Sequence, residues 1–423
     1  MANCQIFRIF AQIYAKRLRQ SDGVFSLMTI PNHMSGKPKF NKANMLKAAC
    51  TTLMAFGLSL IMMQPFSLSI ATLISSNDRN DFNITDFYNI VADGRDVRSV
   101  DRDIVILDIT GADREDLAFV LDALPVFEPR AVGLDVMFDE PHYDDSLLLA
   151  AIAKLPAMVM VVDVKGEKNH GAEKFIVSDK SFFVNDINKD GYFGASNLPT
   201  RFEGGVVREF AVDYPLVGGG SIASFPVAIA ERVDSVAVAK LRSRGLHLEN
   251  INYPSRTFRH VFWQNLGDNP DALRDKVVLI GALDNPGDRH ATPPQHQMSG
   301  IEIHAHSLAT ILNGTYIDSL GSFSNLAIAF TLCFAMALVH VCMPPEFKAL
   351  ALRFIQVLLL YFIIRIGYYF FIEHSLIINF SYTLLMMTFV LFACDIWFGA
   401  YGTVKYYKKY KSRRAQKKQP TNQ

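Results

Sequence analysis

Apolar positions follow two patterns along this chain. Four long runs are apolar almost without interruption, and between the first and second lies a stretch of short apolar runs broken by polar ones. The first long run starts at Asn44 and beyond Lys47 carries no charge for about 25 residues, enough to cross a hydrocarbon core of about 30 Å. Three more close the chain. Residues 323–343 are uncharged, 350–371 are interrupted by Arg353 and Arg365, and 375–398 are interrupted by Asp395. The predicted division is an N-terminal arm at 1–43, transmembrane helices at 44–74, 321–343, 350–371 and 375–398, a folded domain at 75–320, and a tail at 399–423.

The domain has the period of an α/β unit. Residues 103–109 form the kind of continuous apolar run expected of a strand buried on both faces. Leu117, Val120, Leu121 and Leu124 then recur at helical spacing, with Asp113 and Asp116 where an N-terminal cap belongs. A second strand is predicted over 131–138, a second helix over 146–154 and a third strand over 157–162. That order implies a mainly parallel, doubly wound sheet. Residues 165–220, rich in Gly, Asn and Asp, predict excursions and hairpins. A helix over 225–233 and a strand over 276–281 follow. Ser299 and Glu302 form an S-x-x-E capping box before a helix that Asn313-Gly314 closes. The fold class is thus an α/β domain with four transmembrane α-helices.

Charge adds the sidedness. Of 423 residues half are apolar and 20% are charged, which excludes a disordered chain. The net charge of +1 hides a separation: residues 77–322 hold 37 acids and 23 bases, net −14, and the rest of the chain is net +15. An acidic middle between basic, apolar ends fits a membrane protein and no nucleic-acid partner. Lys37, Lys39, Lys42 and Lys47 precede the first span, whereas Asp78 and Asp81 follow it. The positive-inside rule then keeps the N-terminus in the cytoplasm, and an even span count puts both termini there. Residues 75–320 are expected outside. The first run is longer than a signal-peptide core and no A-x-A site is evident. None of the five cysteines falls in the acidic middle, so no disulfide framework or zinc motif is expected there.

Four stretches carry a family resemblance. They are Ile104-Val105-Ile106-Leu107-Asp108-Ile109 followed by 133–141; Gly204-Gly205-Val206-Val207-Arg208 with Ile251-Asn252-Tyr253; Val277-Val278-Leu279-Ile280-Gly281 leading to Asp288 and Thr292-Pro293; and Gly300-Ile301-Glu302-Ile303-His304-Ala305. In this order they resemble the second type of CHASE domain, the sensory domains associated with cyclases and histidine kinases. One span before the domain and three after it are arranged as in that family. The resemblance implies a bacterial cytoplasmic (inner) membrane protein that senses outside and signals inside. Family members usually carry a Trp-Pro-Trp-like segment after the first strand, where Thr110-Gly111-Ala112-Asp113 stands here. They also carry a cytoplasmic output module. This chain stops about 25 residues past its last span, so a separate signalling partner is expected.

Candidate chemistry clusters near predicted strand ends, where open α/β sheets bind ligands. Asp108, Asp135, Asp139 and Asp288, with Asp284, lie there and could hold a cation, hydrogen-bond a polar ligand, or merely cap helices. Arg208, Glu302 and His304 complete the candidate ligand set. Glu302, His304 and His306, with His290 and His296 nearby, invite a metal reading, but i,i+2 positions on a helix diverge. Whether a metal binds stays open, and no cofactor is expected. No nucleophile elbow, P-loop, H-E-x-x-H or dinucleotide motif follows a strand, so catalysis has little support. Arg365, deep in its span, is the candidate for coupling between spans, whereas Arg353 and Asp395 are placed to snorkel. The basic tail suits anionic membrane lipid, and a homodimer is compatible with the sequence. The expected function is a membrane sensor that meets an unknown extracytoplasmic ligand; the alternatives are an extracytoplasmic metal-dependent enzyme or a structural subunit.

Overall fold

The computed structural model describes residues 41–74, 84–93, 99–138, 140–143, 145–155, 158–169, 172–177, 193–200, 205–254, 256–268, 270–295, 297–343 and 348–416. Helices α1 (Lys42–Ile74) and α2 (Ile84–Asp93) lead into the domain. The domain contributes α3 (Arg114–Ala123), α4 (Asp145–Ile152), α5 (Phe225–Val233), α6 (Ser235–Ser243) and α7 (Gly300–Asn313). The chain then runs through α8 (Ser322–Cys342), α9 (Lys348–His374) and α10 (Ser381–Gln416).

Six strands make one wholly parallel sheet. They are β1 (Ser99–Asp108), β2 (Ala131–Leu134), β3 (Met158–Val162), β4 (Phe193–Ala195), β5 (Arg256–Phe262) and β6 (Val277–Gly281), ordered β5-β1-β6-β2-β3-β4. β2, β3 and β6 are apolar end to end, and β1 is so over Ile104–Leu107, because both faces are covered there. Ile104, Ile106, Val159, Val161, Val277 and Leu279 face one core with α5 and α7. Val105, Leu107, Val132, Leu134, Val278 and Ile280 face the other with α3 and α4. Alternate residues of each strand thus serve opposite layers, as a period of two requires. Gly133 lets α5 lie close on the sheet, since a Cβ there would come within 2.4 Å of the Ile229 side chain.

The strand predicted over 131–138 ends at Leu134. Asp135 still donates its backbone N–H to the Ile280 carbonyl at 2.8 Å, after which Val136 and Phe138 turn into the α3 layer. Both predicted caps form. Asp113 and Asp116 close a capping box on α3, and Ser299 and Glu302 close one on α7, which ends on Gly314 in the left-handed conformation. The excursion between β3 and β4 includes an antiparallel hairpin, Val164–Asn169 with Ala172–Val177.

Four helices are long and apolar enough to cross a membrane: Lys42–Ile61, Ser322–Cys342, Leu350–His374 and Ser381–Lys411. Small residues Ala48, Ala55, Ala329, Ala337 and Ala393 sit in their buried core, where they allow close approach between helices. The connection from α9 to α10 is stitched to the domain. Leu376–Ile377 pairs in parallel with Asp318–Ser319, and Leu320 donates to the Ile377 carbonyl at 2.9 Å. Beside it Tyr88 of α2 packs against Ile317, Tyr368 and Phe371.

Candidate functional site

The carboxyl edge of the sheet gathers part of the predicted set. Chain leaving β1 and β2 passes to the α3 and α4 layer, whereas chain leaving β6 passes to α7 on the opposite layer. Departures in opposite directions open a crevice between neighbouring strands, as at the switch point of any open α/β sheet. Asp135 follows β2 into that crevice, and Asp288 reaches it from the segment after β6. Asp288 accepts a hydrogen bond from the Gly300 backbone N–H at 3.1 Å, at the start of α7, and contacts His290 Nε2 at 2.9 Å. A Cβ at position 300 would fall 2.6 Å from the Asp288 carboxylate, so only glycine admits this approach.

Two titrations there are displaced in opposite directions. Burial pushes the Asp135 carboxyl up to about 7, and the charge of Asp288 adds to the rise. Burial pushes His304 down to about 4; Asp288 and a Ser196 backbone hydrogen bond oppose this, and His290 reinforces it. His304 sits edge-on to Phe225 with ring centroids 5.2 Å apart, and its Nδ1 is buried without a hydrogen-bond partner. On the α3 side of the same sheet edge lies a cavity of about 460 Å³, bordered by Ile109, Arg114, Val136, Phe138 and His142. Arg114 crosses to Asp145 at 2.6 Å and to the Glu140 carbonyl at 2.7 Å. The segment at 110–113 that departs from the family pattern is the turn beneath this cavity and supplies the α3 cap.

The other predicted residues take different places. Asp108 accepts from Thr110 N, Thr110 Oγ1 and Leu283 N at 2.9, 2.6 and 3.0 Å, which ties the ends of β1 and β6 together. Asp284 pairs with Arg289 at 3.0 Å. Glu302 accepts from Ser299 Oγ at 2.9 Å, and His306 is buried beside Tyr253 and Phe258. Among the described residues no group of three His, Cys, Asp or Glu side chains is disposed to hold a metal ion. Asp139 and His296 lie outside the described residues.

Arg208 stands at the membrane junction. Its Nε and Nη2 donate to the two carboxylate oxygens of Asp86 at 2.9 and 2.7 Å, fastening the domain to α2. The partner is 122 residues away in sequence, and nothing in either local pattern points to it. In the membrane helices, Arg365 lies over the Tyr368 ring at 6.0 Å and is otherwise exposed on α9. Polar contact between spans falls instead on Arg353, read from the sequence as snorkelling. Its Nη2 meets Asp395 of α10 at 3.0 Å, with His340 of α8 at 3.9 Å from the same carboxylate. Gln356 donates to the Met387 and Thr388 carbonyls of α10 at 2.5 and 3.1 Å.

A six-stranded parallel α/β domain stitched to four apolar helices defines a multi-pass membrane protein with a sensory architecture. Residues 67–340 match the family model of the CHASE2 domain, and the chain belongs to that family. No curated protein and no solved structure matches it.

Proposed function

We propose that this protein is a non-enzymatic receptor of the bacterial cytoplasmic membrane. Its CHASE2 domain faces outward, takes a small polar ligand at the carboxyl edge of the sheet, and signals through the four spans to a separately encoded partner inside. One observation carries the reading: α7 starts in the crevice and ends at the membrane junction. Its first residue, Gly300, is held by Asp288. Its fourteen residues span about 21 Å at 1.5 Å per residue. Beyond its end, Asn252 and Asn250 bond the Thr315 and Ile317 carbonyls at 3.1 and 3.0 Å, and Asp318–Ser319 pairs with the α9–α10 connection. A shift of α7 in the crevice would therefore reach two membrane helices through hydrogen-bonded backbone.

The experiment is a distance measurement across the membrane. Spin labels at the α8 and α10 ends remote from the domain report their separation in wild type and in Asp135→Lys, which places a cation in the crevice. The reading requires a changed distance distribution in the folded variant. An unchanged distribution, with the domain folded, sinks it.

A further inference from the structure

We propose a second binding site, for a primary ammonium group, where the α/β domain meets the membrane helices. A cavity of about 350 Å³ opens there, within the size range of small-ligand sites. Arg208 and Glu209 border it from the domain, Asn325 from α8, and Ile377 and Asn379 from the α9–α10 connection.

Two acceptors on its lining are unspent. Asn325 is 5% exposed, and its Nδ2 donates to the Leu320 carbonyl at 2.8 Å, which fixes the amide. The Asn325 Oδ1 is left buried with no partner among the described residues, a costly state for a polar atom unless a donor fills it. The Glu209 carboxylate forms no ion pair or hydrogen bond among the described residues, although its backbone is fixed in the strand pairing of Glu209–Ala211 with Leu248–Asn250. Arg208, the nearby cation, is already held by both oxygens of Asp86. A carboxylate, an orphan carbonyl and, among the described residues, no spare cation on the lining call for a cationic donor. A primary ammonium offers three N–H groups, whereas a quaternary ammonium offers none.

The cavity lies at the domain-side ends of three candidate spans, so the ammonium could be that of a phosphatidylethanolamine or of a free amine. The test uses the full-length protein in nanodiscs of phosphatidylethanolamine, phosphatidylcholine or phosphatidylglycerol, with lipid retention read by native mass spectrometry. Thermal stability is read alongside, in phosphatidylcholine discs with and without ethanolamine. A lipid source gives a preference of about tenfold for phosphatidylethanolamine over phosphatidylcholine, the worth of one charge-assisted hydrogen bond. A soluble source gives no lipid preference but an ethanolamine-dependent rise in melting temperature. Either effect must vanish in Glu209→Gln, which keeps the shape and backbone pairing and removes the charge. Equal retention of all three lipids with no effect of ethanolamine overturns the proposal, as does an effect that survives Glu209→Gln. These outcomes do not depend on the crevice at the other end of the domain, so the two sites fail separately.

Discussion

Arg208 and Asp86 form a two-pronged ion pair, at 2.9 and 2.7 Å, that ties the α/β domain to the helix following the first span. Both side chains are nearly buried, at 12% and 8% exposure. Removing one partner of a buried ion pair costs about 3–5 kcal/mol. Arg208→Ala is expected to loosen α2 while leaving the sheet intact. Hydrogen exchange should show protection lost over 84–93 and kept over β1 and β6. Unchanged protection of α2 would show that other contacts, the Tyr88 packing among them, hold the junction.

Glu302 closes the capping box of α7. Glu302→Ala should destabilise the domain by about 1 kcal/mol, the usual loss for an N-terminal cap. Metal content, measured by elemental analysis, should not change. A folded variant that has lost a bound metal ion would reverse the assignment.

The pH dependence of stability should expose two opposed groups. Asp135 titrates at about 7 in the folded domain against an ordinary 3.8. Between those values the folded chain holds the extra proton, so this contribution falls as pH rises and the loss is complete above 7. His304 titrates at about 4 against an ordinary 6.5, and between those values the unfolded chain holds the extra proton. Its contribution rises with pH and is complete above 6.5. From about 4 to 6.5 the two slopes, each up to about 1.4 kcal/mol per pH unit, oppose each other. Asp135→Asn removes the falling one. Denaturant melts should then show the variant gaining stability from pH 4 to 6.5 and exceeding wild type above pH 7. Parallel profiles for the two proteins would mean that Asp135 titrates normally.

The parts of the fold legible from sequence are those that local burial dictates. β6 is apolar throughout, and β1 over Ile104–Leu107, because both faces are covered there, and the α3 and α7 caps are written in the spacing of Asp113–Asp116 and Ser299–Glu302. β5 was not legible: it reads Arg-Thr-Phe-Arg-His-Val-Phe, an edge strand half-exposed on both faces, with no run or alternation to mark it. The site divides the same way. Sequence order placed Asp135 and Asp288 at strand ends, but it could not show that Asp288 and His290 close on the start of α7. Nor could it pair Arg208 with Asp86, because long-range ion pairs leave no local pattern. Asn325 was missed for a related reason. A single amide in an apolar run is unremarkable until its carbonyl is found buried without a donor.

The coupling residue in the membrane helices is expected to be Asp395 rather than Arg365. Arg365 projects from α9 over the Tyr368 ring, its one side-chain contact among the described residues, nine residues from the helix end at His374. A long side chain so placed can reach the interface by snorkelling and holds no other span. Asp395, by contrast, is where three helices meet, through Arg353 of α9 at 3.0 Å and His340 of α8 at 3.9 Å. Polar contacts between membrane helices are worth about 0.6–1.7 kcal/mol, which is roughly threefold to eighteenfold in an association equilibrium. Cysteine crosslinking between α9 and α10 at their ends remote from the domain should therefore fall by about that factor in Asp395→Leu. The exchanged pair Arg353→Asp with Asp395→Arg should recover it, since the interaction needs opposite charges and not a fixed order. Arg365→Leu should insert normally and crosslink as wild type does. If Arg365→Leu lowers the crosslinking and Asp395→Leu does not, the register of α9 is set from its domain-proximal half, and the Arg353–Asp395 pair is only a surface contact.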